Sequence, residues 1–165
     1  MHRSGILTVL ALLAASQPAA AQRLTPDVPA KSAAIVVTGK IAGKNLQGSG
    51  EGSCRHAEDA SIHDVSAALW LVEYSGQGGL KQLSLTLWRP KDGSPDQLSL
   101  SVDIPSGSHR IHTGGKDGNS GEGSVTILPS GPGGRLEIKG KEASGKPIQV
   151  TIECPVFGDV EAAGG

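Results

Sequence analysis

The densest chemistry in the chain is Arg55-His56-Ala57-Glu58-Asp59-Ala60-Ser61-Ile62-His63-Asp64, which gathers two imidazoles and three carboxylates within ten residues. Imidazole nitrogen with carboxylate oxygen is a donor set that Zn²⁺ or Cu²⁺ accepts, and His56, Glu58, His63 and Asp64 are the candidate ligands. The two histidines are seven positions apart, an odd offset that sends side chains to opposite faces of a continuous strand, so both reach one ion only if the segment bends. His109 and His112 form a second pair, again at an odd offset, and could add a ligand from another strand. The plainer reading of residues 55–64 is a solvated acidic connection, with the metal site as its alternative.

Other chemistries lack their parts. The chain has no GxSxG, HExxH, Walker loop or GxGxxG, so it is expected not to be an enzyme. Asp117-Gly118-Asn119-Ser120-Gly121 has the start of a calcium loop without its remaining acidic ligands, which leaves an exposed loop. Only four residues are aromatic, Trp70, Tyr74, Trp88 and Phe157, which is little platform for stacking on bases or sugar rings. Trp88 falls on the polar set of its alternating segment and is the aromatic expected at a surface contact. With 15 basic and 16 acidic residues and a formal charge of −1, no polybasic surface calls for nucleic acid.

The first residues read as an address. Met1-His2-Arg3 is a basic start, residues 6–15 are apolar, and Ala19-Ala20-Ala21 supplies small residues for cleavage after Ala21. The apolar run is about half of what a spanning helix needs, and no later window is longer, so no transmembrane segment is expected. The expected location is therefore outside the cytoplasm, periplasmic or extracellular. Cleavage leaves 144 residues, one domain's worth, of which 32 are Leu, Ile, Val or Phe. That core is thin. Cys54 and Cys154, the only cysteines, are expected to form a disulfide closing a loop of 100 residues, since an exported chain meets an oxidising compartment.

The elements that must position these groups read as strands. Residues 83–87 and 98–104 alternate apolar with polar, and the turn formers of 91–96 between them predict an antiparallel hairpin. Segments 124–127, 135–139 and 148–154 repeat the alternation, separated by Gly- and Pro-rich turns, and the last of them turns Cys154 inward with Ile148, Val150 and Ile152. Ala34–Thr38 reads as a strand, residues 41–51 as a Gly-rich connection, and residues 52–57 as the next strand. Residues 67–74 are apolar on both alternating sets and read as a central or bent strand, with a helix over Val65–Val72 as the alternative.

These elements predict an all-β fold: an antiparallel β-sandwich or partly closed barrel of about eight short strands, stapled by one disulfide. The expected organisation is a signal peptide at 1–21, a flexible lead-in at 22–32, one β domain at 33–158 and a frayed tail at 159–165. The pattern from Ile138-Lys139-Gly140-Lys141 through Gly145-Lys146-Pro147-Ile148 to Ile152-Glu153-Cys154 resembles the end of many small secreted bacterial β-domains, mycobacterial lipoprotein antigens among them. The lipid-attachment Cys of those antigens is missing here, and no function is carried over. The expected function is a non-catalytic binding or structural role in the bacterial cell envelope or extracellular space, toward an unidentified protein or small molecule and without a cofactor. The alternative is a Zn- or Cu-binding protein.

Overall fold

Alternation of apolar and polar residues resolves into ten strands in the computed structural model, which describes residues 33–62, 65–114 and 120–160. In chain order they are β1 (Ala33–Ile41), β2 (Lys44–Ile62), β3 (Val65–Ser75), β4 (Gln82–Pro90), β5 (Gln97–Ile104), β6 (Gly107–His112), β7 (Glu122–Ser130), β8 (Gly133–Lys141), β9 (Pro147–Cys154) and β10 (Gly158–Asp159). The expected signal peptide and lead-in fall on residues 1–32, outside the described residues.

The sheet order is β6-β5-β4-β3-β2-β1-β9-β8-β7, which is sequence order wrapped around a ring. The expected choice between sandwich and barrel thus resolves to an antiparallel sheet nearly closed into a barrel. All eight joins along this path are antiparallel ladders. An odd ring of nine strands cannot alternate direction all the way round, so β6 and β7 run the same way and their join is left as a seam. Among the described residues one antiparallel bridge lies beside it, between the end of β6 and the segment leading into β7, with His112 N–H donating to Ser120 O at 3.2 Å and Ser120 N–H to His112 O at 2.9 Å. The free edge of β7 is blunted by Pro129, which lacks the N–H a pairing strand would use.

One face of every long strand fills the interior. Ile35, Val37 and Ile41 of β1, Leu83, Leu85 and Leu87 of β4, and Leu98, Leu100 and Val102 of β5 are buried. Leu136 and Ile138 of β8 and Ile148, Val150 and Ile152 of β9 complete the wall. A small barrel packed in this way is a core and not a carrier lumen. β3 is a strand throughout, not the alternative helix, and at its start both faces are covered, with Ala67 and Ala68 buried on opposite sides.

The expected connection at 41–51 is instead the first half of β2. Gly48, Gly50 and Gly52 occupy its inward positions, and a Cβ at Gly48 would stand 2.5 Å from the Tyr74 hydroxyl, one at Gly52 2.6 Å from Ile35 Cδ1. The glycines are thus small partners for large neighbours, in keeping with the taper of a small barrel. The β1–β2 hairpin turns on Ala42 and Gly43, with φ of 49° and 82°, the two left-handed residues of a type I′ turn.

Cys54 and Cys154 are bonded, Cα to Cα 6.0 Å, and both are buried. They lie on β2 and β9, the two strands that flank β1. β10 pairs parallel with β2 at Arg55 and His56, next to Cys54. Pairing therefore extends to Asp159, one residue into the expected tail, and residues 161–165 are outside the described residues.

Candidate functional site

The β2–β3 ladder sets His56 opposite Trp70, two positions along from the Cys54–Val72 pair and on the same inward face. The two rings stack, centroids 4.4 Å apart and planes 11° from parallel. On β4, Arg89 is the inward residue after Leu87, and its guanidinium carbon lies 5.4 Å from the Trp70 ring centroid, within cation–π range. Phe157, which follows β9, meets His56 edge-on at 6.1 Å, and its N–H donates to Pro132 O at 2.8 Å. A belt of rings and a guanidinium therefore crosses one end of the barrel.

Hydrogen bonds hold each member. His56 Nδ1 is 3.0 Å from Leu69 O, which makes Nδ1 the protonated nitrogen and turns Nε2 toward Glu58, 3.3 Å away. Arg89 grips Asp96 through Nε at 3.0 Å and Nη2 at 2.8 Å, a two-pronged arrangement, and Nη2 also reaches Val125 O across the seam at 3.4 Å. Outside the belt, Lys91 pairs with Asp59, and this hydrogen bond holds its ammonium pKa above the ordinary value. Lys91 also lies 4.0 Å from Glu58. The shift in register between Ala57 and Ala60 is what brings Glu58 and Asp59 to the rim.

Of the expected metal ligands, His56 and Glu58 come together, while His63 and Asp64 lie outside the described residues. His109 is buried at a different place, with Nδ1 2.6 Å from Glu142 Oε1, and His112 is half-buried on the opposite face of β6. Among the described residues, no three His, Cys, Asp or Glu side chains gather as a metal ion would require. Of the half calcium loop, Asp117, Gly118 and Asn119 also lie outside the described residues.

Trp88 requires a correction. It lies on the outer face, as alternation demands, but only 8% of it is exposed, so it is not a surface contact. Its register neighbours are Leu69 and Gln97, and the adjoining pair on that face is Ala67 with Pro90, so the outer wall is itself apolar there. The aromatic that matters at the barrel end is Trp70, whose role was hidden because its partners, His56 and Arg89, come from two other strands. Among the described residues, no helix is long and apolar enough to cross a membrane. No family model, curated protein or solved structure matches the chain.

Proposed function

We propose that the chain is an exported β-barrel module with a non-catalytic binding or structural role in the bacterial cell envelope or outside the cell. The observation that carries this reading is the filled interior: apolar side chains from β1, β4, β5, β8 and β9 occupy the barrel, so a partner is met on its outside. The end at which His56, Arg89, Glu58, Asp59 and Lys91 reach the surface above the buried Trp70 ring is the proposed meeting surface. An Arg side chain held rigidly in one place is what binding hot spots use. The buried disulfide supports export, since such a bond persists in an oxidising compartment.

The alternative reading is a Zn²⁺ or Cu²⁺ site built on His56 and Glu58, which lie 3.3 Å apart. Titrating chelator-treated protein with Zn²⁺ and Cu²⁺ in a calorimeter tests the choice. No heat at micromolar metal is expected; a one-to-one isotherm lost in His56→Ala would replace the binding-module reading with the metal one.

A further inference from the structure

Eight joins of the ring are hydrogen-bonded ladders; among the described residues the ninth, between β6 and β7, has no ladder and is met by side chains, with the His112–Ser120 bridge beside it. Ile111 fits against Gly123 and Gly140, where added Cβ atoms would approach its side chain to 3.2 and 2.7 Å. Farther along, Arg89 reaches Val125 O. At the other end of the seam, two ionisable side chains meet out of water: His109 of β6 and Glu142, just past β8, are 11% and 13% exposed, with Nδ1 2.6 Å from Oε1. The second carboxylate oxygen accepts from Ser144 Oγ at 2.8 Å. Glu142 is presented by a closed turn, in which its N–H donates to Lys146 O at 3.0 Å and Gly145 N–H donates to Glu142 O at 2.8 Å.

We propose that the His109–Glu142 pair is an acid-operated clasp on the β6–β7 seam, so that neutralising Glu142 opens the barrel along this line while the eight ladders stay paired. A charge-assisted hydrogen bond is about twice as strong as a neutral one, and the seam has no ladder to make up the loss. Burial pushes the Glu142 carboxyl up, but the Ser144 hydroxyl, His109 and Lys146 together hold it below its ordinary value. Its contribution is therefore complete above the ordinary Glu pKa of about 4.3 and is lost as pH falls through the lower folded value. The other charged groups around the clasp are Asp103 on β5, Arg110 on β6, and the Glu122–Lys141 pair of β7 and β8 at 3.2 Å. That pair is largely exposed, and pairs of this kind contribute little.

The test is the distance between spin labels at Arg110 and Thr126, one on each side of the seam, with a control pair at Gln47 and Gln149 across β2, β1 and β9 and the native disulfide left closed. Electron–electron resonance is recorded from pH 7 to below pH 3 on the parent protein and at pH 7 on Glu142→Gln. The clasp predicts a narrow seam distribution in the parent at pH 7 that broadens below about pH 4, and one already broad at pH 7 in Glu142→Gln, with the control narrow throughout. A seam that stays narrow in acid, or that broadens only when the control does, overturns the proposal. Should Glu142→Gln not fold, the acid series of the parent decides by the same criterion.

Discussion

Cys54 of β2 and Cys154 of β9 are joined, although their strands are the two that flank β1 and pair with it rather than with each other. The bond therefore ties two strands that share no ladder. The loop it ties spans 100 residues, for which the chain-entropy account gives about 4.7 kcal/mol. Replacing both cysteines by Ser is expected to lower unfolding free energy by roughly 3–5 kcal/mol in urea titration. A loss below about 1 kcal/mol would mean that β10 and the β1 ladders close this end unaided.

Gly48 faces the Tyr74 hydroxyl, which is buried with no hydrogen-bond partner among the described residues and whose pKa burial pushes up. Gly48→Ala is expected to cost about 2 kcal/mol by overpacking. Tyr74→Phe, which removes the obstructing oxygen, is expected to be neutral or to stabilise by about 1 kcal/mol, and to recover part of the Gly48→Ala loss. A double-mutant cycle in denaturant checks this; additive effects would show that the two residues do not meet.

Ala42 holds a φ of 49° at the first central position of the β1–β2 turn, where a side chain is strained. Ala42→Gly is expected to raise stability by about 1 kcal/mol despite the entropy glycine adds to the unfolded chain. Thermal unfolding at neutral pH reads the result, and a lowered midpoint would contradict the turn type.

How much of this was legible in the sequence depended on whether a signal was local. The β4–β5 hairpin was legible because Leu83, Leu85 and Leu87 and Leu98, Leu100 and Val102 alternate with polar residues and each set faces one environment. Cys154 was legible for the same reason, sharing a face with Ile148, Val150 and Ile152. The first half of β2 was not, because Gly48 and Gly50 look like linker residues until Tyr74 is seen against them. Trp88 was misplaced because alternation gives a side chain's direction but not what covers it. His109 with Glu142, 33 residues apart, and Trp70 with Arg89 were beyond reach, since their meeting depends on how the ring closes.

Arg89 ties the barrel-end belt to Asp96, just ahead of β5, and to Val125 O of β7. Arg89→Ala is expected to cost about 1–2 kcal/mol and to shift Trp70 fluorescence to longer wavelength as water reaches the ring. Trp88→Phe isolates the Trp70 signal. An unchanged spectrum would show that the guanidinium does not shield Trp70.

The central proposal is a barrel that leaves the cytoplasm and is then stapled by the Cys54–Cys154 bond. The direct measurement is to produce the full chain in a bacterial host, recover the fraction outside the cytoplasm, sequence its N-terminus and count thiols under denaturing, non-reducing conditions. A chain beginning at Gln22 with no reactive thiol is the predicted result. A chain found only inside the cell, with Met1 intact and both Cys54 and Cys154 reactive, would contradict it.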